Sequence, residues 1–329
     1  MVLQLSFANS KIWASVVTGL SFQILSSCST FQPLETKELE IALSPAIVFS
    51  DVYIEGGPVG KVCRAASSAN SSALIFIGGS GGGLSFAEPA AALACQEGYT
   101  ALALAYWRYE GLPTALELVP LEYFDRSIEW LAKEPDVDAS SIGLVGYSRG
   151  GEAALLVASR NASVAAVAAL VPGSHVGASI DFRDFFDLES AWSIDGEPVP
   201  FVTTRPNRPG ANWQEVLSEL PPPSPAQAIK DFENLLTLPG ADNAVIPVET
   251  IAAPILLVGA GEDAVWASSS MVDFISERIS ENGGMFEVQT LQFDGAGHDF
   301  MVEALDSDDT NSEADEAWRA LLAFFARHL

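Results

Sequence analysis

Residues Gly146-Tyr147-Ser148-Arg149-Gly150 are preceded by the apolar run Ile142-Gly143-Leu144-Val145 and followed by Glu152-Ala153-Ala154-Leu155-Leu156-Val157-Ala158. The first run is short enough for a buried strand, and the stretch after it is made of good helix formers. A serine with small residues on either side lets a strand turn sharply into a helix and lifts the hydroxyl out of the sheet. As a bare pattern Gly-x-Ser-x-Gly is weak. The strand before it and the helix after it turn it into the expectation of a nucleophilic serine, against the blander reading of a tight turn without chemistry.

Outward from that turn, short apolar runs alternate with amphipathic segments, the pattern of a mostly parallel sheet with helices on both faces. Strands are expected at 73–77, 101–106, 142–145, 164–170, 255–258 and 286–291. Leu121, Phe124, Ile128 and Leu131 recur at helical spacing. Val48-Phe49-Ser50-Asp51-Val52-Tyr53-Ile54 partly alternates, and Gly56-Gly57-Pro58 after it suggests a hairpin turn. The stretch from Gly173 to Ile246 breaks the rhythm and is rich in Pro, Gly, Asp and aromatics. So long an irregular insertion in a compact domain is expected to be a lid or binding element.

A serine hydroxyl is a poor nucleophile until a base takes its proton. The chain has three histidines. His328 is the penultimate residue of a C-terminal helical stretch, where it caps the negative end or is solvated. His175 follows the strand after the nucleophile, facing the substrate side, yet precedes any acidic candidate. His298 lies in the Gly-rich loop Phe293-Asp294-Gly295-Ala296-Gly297-His298-Asp299-Phe300, directly after the last expected strand, and is assigned as the base. The orienting carboxylate is expected in Gly259-Ala260-Gly261-Glu262-Asp263, with Asp263 favoured over Glu262; the competing role for Asp263 is a helix N-cap. The candidate triad is therefore Ser148, Asp263 and His298. For the tetrahedral oxyanion, Ile77-Gly78-Gly79-Ser80-Gly81-Gly82-Gly83-Leu84 supplies a loop whose backbone N–H groups approach closely. The Ser80 and Arg149 N–H groups are the expected pair, with Gly81 in reserve. No Gly-Lys-Ser/Thr follows, so a phosphate-cradling nucleotide loop is disfavoured, and no cofactor or metal is expected.

The 329 residues hold 43 Asp plus Glu against 16 Lys plus Arg, a formal charge of -27, with 49 % hydrophobic residues. The apolar fraction is ample for a core, and the charge opposes a nucleic-acid partner, because binding a phosphate backbone needs a basic face. Three cysteines exclude a disulfide scaffold. Whether Cys63 and Cys95 pair cannot be read from their spacing, and a buried free thiol is the default for Cys95. The first 27 residues carry no carboxylate and one base, Lys11, followed by an apolar run from Ile12 to Leu25 that is too short to span a bilayer but suits a signal peptide. Leu25-Ser26-Ser27-Cys28 resembles the lipobox of bacterial lipoproteins, which implies cleavage before Cys28 and a lipid on its sulfur. The organisation expected is a signal peptide over 1–27, a polar tether over 28–48 and a catalytic domain over 49–329 with the insertion at about 173–246. The lipid anchor is the expected membrane contact, and the cell envelope the expected location, with the cytoplasm if the signal reading fails.

Four stretches together resemble the C-terminal catalytic domain of the acyl-CoA thioesterase and bile acid-CoA:amino acid N-acyltransferase family. They are Gly79 to Leu84 with Ala103-Leu104-Ala105-Tyr106-Trp107; Pro120-Leu121-Glu122-Tyr123-Phe124 running on to Gly146-Tyr147-Ser148-Arg149-Gly150-Gly151-Glu152; Ile246-Pro247-Val248-Glu249 followed by Gly261-Glu262-Asp263-Ala264-Val265-Trp266; and the closing Gly297-His298. The resemblance implies an α/β-hydrolase fold and the triad already derived. In the family a Cys nucleophile accompanies amide transfer and Ser accompanies thioester hydrolysis, so Ser148 implies water as final acceptor. Well-known members carry an N-terminal immunoglobulin-like domain, for which the residues between Cys28 and Phe49 leave no room. CoA is strongly anionic, and so acidic a surface repels it at long range. Arg205 and Arg208 in the insertion are either a local anion site or, more simply, surface bases. The expected function is a serine hydrolase of an acyl thioester or carboxylic ester acting on a small-molecule substrate. The rivals are an envelope carboxylesterase that never meets CoA and a catalytically silent lipoprotein that binds an acyl ligand.

Overall fold

A computed structural model describes residues 48–64, 71–184, 187–211, 216, 219–306 and 312–329. The expected signal peptide, Cys28 and nearly all of the tether lie outside the described residues. One eight-stranded sheet organises the chain. Its strands are β1 (Val48–Tyr53), β2 (Val59–Arg64), β3 (Ala73–Ile77), β4 (Thr100–Ala105), β5 (Ile142–Tyr147), β6 (Ala166–Leu170), β7 (Ile255–Ala260) and β8 (Val288–Phe293), in the spatial order β1-β2-β4-β3-β5-β6-β7-β8. The β1–β2 hairpin is antiparallel and β2 joins β4 antiparallel; every other pairing is parallel. This is the α/β-hydrolase fold implied by the resemblance.

The central strands read as continuous apolar runs because both faces of the sheet are covered. Along β3, Ala73, Ile75 and Ile77 join one core cluster, with Trp107, Phe124 and Trp192, while Leu74 and Phe76 join the other, with Trp318, Phe324 and Phe325. The helices that matter for the site are α1 (Ala87–Gln96), α2 (Glu122–Leu131), α3 (Arg149–Arg160), α4 (Pro225–Leu235), α5 (Ser268–Glu281) and α6 (Glu313–His328). Tyr123 of α2 accepts from the Val59 N–H at 3.0 Å and donates to the Ala105 carbonyl, so this residue of the Leu-Glu-Tyr-Phe stretch ties α2 to the start of β2 and the end of β4. Strand ends differ from expectation by about two residues. The last strand begins at Val288 because its parallel register starts with Ile255 opposite Val288, leaving Phe286 partly exposed outside the sheet.

Two expectations are corrected. Cys63 on β2 and Cys95 on α1 form a disulfide, so Cys95 is not a free thiol. The segment 173–246 is less irregular than its composition suggests. Trp192–Ile194 pairs in parallel with Val119–Pro120 and antiparallel with Glu197–Pro198, and α4 starts at Ser224, whose hydroxyl accepts from the Gln227 N–H at 3.2 Å. The Ser224-Pro225 pair is an N-cap followed by Pro at the first helical position, a start signal visible in the sequence.

Candidate active site

Ser148 occupies the turn between β5 and α3 at φ 56° and ψ −120°, a conformation that costs a residue with a side chain about 1–3 kcal/mol. Packing enforces it. A Cβ on Gly146 would lie 2.0 Å from the Gly150 carbonyl oxygen, and one on Gly150 would lie 2.2 Å from that of Ile77, so the two glycines of the motif are required by close approach. The Ser148 N–H donates to the Leu170 carbonyl of β6 at 2.9 Å, and its own carbonyl accepts from Gly151 and Glu152 in the first turn of α3.

The structure brings the three candidate residues together. With Nδ1 carrying the proton, His298 donates to Asp263 Oδ2 at 2.7 Å, and Ser148 Oγ donates to His298 Nε2 at 2.9 Å. All three are buried, at 2 % exposure for Ser148, 2 % for Asp263 and 6 % for His298. Of the two roles weighed for it, Asp263 takes the first, the carboxylate that orients the imidazole. Its Oδ1 accepts the N–H groups of Val265 and Trp266 at 2.9 and 3.2 Å while Oδ2 holds the imidazole. The helix beyond it starts at Ser268, so this is a turn that fixes the carboxylate and not an N-cap. Burial by itself lowers the His298 pKa, but the charge and hydrogen bond of Asp263, with Asp299 beyond, outweigh it and hold the imidazole above its ordinary value. Tyr147 and Trp266 flank the ring at 5.6 and 5.4 Å between centroids. Tyr147 donates to the Asp299 carboxylate, and Trp266 Nε1 donates to the Val171 carbonyl at 3.0 Å.

The glycine loop runs against the nucleophile: a Cβ on Gly79 would sit 2.9 Å from Ser148 Cβ. Tyr106 fixes the loop by donating to the Gly78 carbonyl at 2.8 Å, and Trp107 Nε1 reaches the Gly79 carbonyl at 3.4 Å. Ser80 is buried beside the cavity described below, while Gly81 is exposed. Arg149 opens α3, where the first N–H groups have no intrahelical acceptor. Ser80 and Arg149, the expected oxyanion pair, both line the cavity.

A cavity of 210 Å³ adjoins Ser80 and Arg149. Most of its wall comes from the insertion, with Ile180, Phe182, Val202 and Phe232 as apolar surface, and Trp266 and Met271 completing it. Its size and mixed lining suit an acyl group. His175 is in this wall and bonds the Ser174 hydroxyl through Nδ1 at 2.9 Å. Burial, assisted by the charge of Arg278, brings its pKa down to about 4. It therefore stands as a neutral wall residue, while His298 takes the place beside Ser148. His328 ends α6 against the Phe324 ring, far along the chain from the turn.

Sequence reasoning missed the structural role of the Arg149 and Glu152 side chains. Arg149 Nη1 donates to Glu152 Oε2 at 2.6 Å, and Nη2 donates to the carbonyls of Gly177 and Ala178 at 3.1 and 3.0 Å. Glu152 Oε1 accepts from Trp192 Nε1 at 2.6 Å and the Gly177 N–H at 3.0 Å. This buried pair clamps the insertion to the helix that carries the nucleophile. The signal in the sequence was the two opposite charges at i and i+3 inside an otherwise apolar helix face. Of the two insertion arginines, Arg208 is exposed and paired with Glu219 at 2.7 Å, as a surface base should be. Arg205 lines the cavity and donates to the Ser179 carbonyl; burial, with Arg149 nearby, brings its pKa down to about 9.

Comparisons with known proteins agree with this architecture. Acyl-coenzyme A thioesterase 1 of Mus musculus is 31 % identical over 228 residues, covering 68 % of this chain and 48 % of that protein. Peroxisomal succinyl-coenzyme A thioesterase of the same species is 26 % identical over 277 residues, covering 78 % of this chain and 60 % of its own. The chain spans about half the length of the first of these relatives. In fold, it is similar to an esterase of Pyrococcus furiosus at TM-score 0.53 and 15 % identity, with 86 % of this chain and 91 % of that one covered. It is likewise similar to carboxyl esterase 2 of Tuber melanosporum at TM-score 0.54 and 15 % identity, with 87 % of both covered. The family described as BAAT / Acyl-CoA thioester hydrolase C terminal matches residues 119–302, from the strand before α2 to the turn after His298, and the chain belongs to that family.

Proposed function

We propose that this protein is a serine hydrolase that cleaves an acyl thioester, or a carboxylic ester, through an acyl-enzyme. The observation that carries the reading is the continuous hydrogen-bond chain from Asp263 through His298 to a conformationally strained Ser148, beside a cavity of acyl size. Ser148 Oγ attacks the acyl carbonyl as its proton passes to His298 Nε2, and Asp263 stabilises the imidazolium. The N–H groups of Ser80 and Arg149 receive the oxyanion. His298 then protonates the leaving sulfur or oxygen, and in the second half activates the water that releases the acid.

The lipoprotein signal and envelope location belong to the same proposal. The Cys63–Cys95 disulfide supports them, since such bridges persist in oxidising compartments. Among the described residues no helix is long and apolar enough to cross a membrane. The proposed attachment is lipid on Cys28, on the strength of Leu25-Ser26-Ser27-Cys28. The net charge of -27 favours one second reading, an envelope carboxylesterase acting on uncharged esters. Labelling with a fluorophosphonate tests the enzyme reading: label is expected on Ser148, lost in Ser148→Ala and His298→Ala. No label in folded protein would leave only an acyl-binding role. A larger loss of turnover in His175→Ala than in His298→Ala would overturn the triad. Negligible acyl-CoA turnover beside brisk p-nitrophenyl ester turnover would select the second reading.

A further inference from the structure

Buried serines in this protein bond to their own surroundings. Ser127, Ser190 and Ser193 donate to the carbonyls of Tyr123, Trp192 and Leu118 at 2.8, 2.9 and 2.8 Å. Ser80 departs from that rule. It is 4 % exposed, yet its Oγ has no hydrogen-bond partner among the described residues, and its backbone N–H donates to none of their carbonyls. Roughly nine in ten buried polar groups are paired, so two idle donors on one buried residue call for an acceptor brought by a ligand. The acceptors of the loop itself are already engaged. The Gly78 carbonyl takes the Tyr106 hydroxyl at 2.8 Å, the Gly79 carbonyl takes the Gly82 N–H at 3.2 Å, and the Gly81 carbonyl takes Arg108 Nη1 at 3.4 Å.

Ser80 follows Gly79, on which a Cβ would lie 3.3 Å from Ser148 Oγ, and it lines the cavity together with Arg149. A Cβ on Gly150 would meet the Gly78 carbonyl oxygen at 2.4 Å, so the loop is wedged against the first turn of α3, where Arg149 stands. The N and Oγ of one serine stay within about 4 Å of each other in every staggered rotamer, so both donors can converge on one oxygen atom. Resting on the hydrolase reading above, we propose that the Ser80 hydroxyl is a third oxyanion donor, a catalytic residue that joins its own N–H and the Arg149 N–H on the same oxygen. It donates a hydrogen bond without giving up its proton. The negative charge placed on the acyl oxygen when Ser148 Oγ attacks goes back into the carbonyl bond as the leaving group departs. A neutral carbonyl gains less from the extra donor than the oxyanion does, so the contact acts on the rate more than on binding. Before substrate arrives, the hydroxyl is a desolvated donor without an acceptor, which lowers the stability of the folded protein. Activity and stability therefore make opposite demands at Ser80.

The test measures kcat and KM on a short p-nitrophenyl ester, together with the thermal unfolding midpoint, for wild type, Ser80→Ala and Ser80→Thr, with each fold checked by circular dichroism. Ser80→Ala keeps the N–H and loses the hydroxyl. Its kcat should fall about 100-fold while KM changes by less than about threefold. Its unfolding midpoint should rise by about 2 °C, because an unpaired buried group has been removed. Ser80→Thr restores a hydroxyl and should recover most of the rate. A trifluoromethyl ketone, whose adduct with Ser148 carries the oxyanion, should lose affinity for Ser80→Ala in parallel with kcat. An unchanged kcat in folded Ser80→Ala overturns the proposal. So does a fall in kcat accompanied by a lower unfolding midpoint, which marks the hydroxyl as structural, and so does a rise in KM at unchanged kcat, which places it on the ground state. In each of those cases fluorophosphonate label on Ser148 of wild type leaves the hydrolase reading intact. Wild type that neither takes the label nor turns over the ester overturns both.

Discussion

Removal of the Cys63–Cys95 bridge changes the unfolded chain more than the folded one. The bridge closes a loop of 32 residues that contains β3, the glycine loop and nearly all of α1. For a loop of that length the entropy returned to the unfolded chain is about 12 cal/mol/K, which corresponds to about 3.7 kcal/mol at 25 °C. In a domain of this size such a loss lowers the melting temperature by about 6 °C. The variant Cys63→Ala/Cys95→Ala, compared with wild type by urea denaturation and thermal melting without reductant, should show that difference. Wild type treated with reductant before unfolding should approach the variant. Alkylation of wild type unfolded without reductant should leave Cys63 and Cys95 unmodified, and peptide mapping should recover them in one cross-linked fragment. Full alkylation of both thiols, or a double variant within about 1 kcal/mol of wild type, would refute both the bridge and the compartment argument built on it.

Other consequences concern charge. Activity should rise with pH through a single limb whose midpoint lies above 6.5, because the base must be neutral and His298 is held above that ordinary value; Asp263→Asn should lower both the plateau and the midpoint, in a pH-rate profile. The stability linkage has the opposite sense: the raised His298 contributes stability that is complete below about 6.5 and is lost as pH climbs through its folded pKa, whereas His175, depressed to about 4, makes the protein lose stability as pH falls from about 6.5 toward 4. Denaturation midpoints of His175→Ala and wild type across that acidic window should converge; parallel curves would mean that His175 does not titrate there. Glu152→Ala strands the Arg149 charge, whose side chain is 6 % exposed, and should cost about 3–5 kcal/mol in urea denaturation, with Glu152→Gln costing less because the Trp192 and Gly177 donors keep an acceptor. A cost below about 1 kcal/mol for Glu152→Ala would show that the pair does not clamp the insertion.

The parallel sheet and the turn at Ser148 were legible because each is a local pattern. A strand buried on both faces must be apolar throughout, and a strand-to-helix turn with a backbone carbonyl 2.0 Å from where a Cβ would be leaves no residue but glycine at Gly146. Scarcity helped as much as pattern: with three histidines in the chain, elimination reached His298. Less was legible in the insertion, where α4 announces itself only through Ser224-Pro225 and the short strands at 192–194 and 197–198 form because Val119–Pro120 offers them an edge.

Local pattern was enough for the order of strands and helices, the nucleophile turn, and the chain order Ser148, Asp263, His298, since all depend on residues close together in the chain or on the few residue types able to do the chemistry. The rest emerged only on folding. The disulfide depended on β2 lying alongside the strand that α1 feeds, which no spacing of two cysteines encodes. His175 and Arg205 became cavity residues because the insertion folds back over the end of the sheet. Arg149 and Glu152 became a buried clamp for the same reason. Each of these is a contact between segments distant in sequence, and the energy of such a contact is fixed by geometry and desolvation, which have no local signature in the chain.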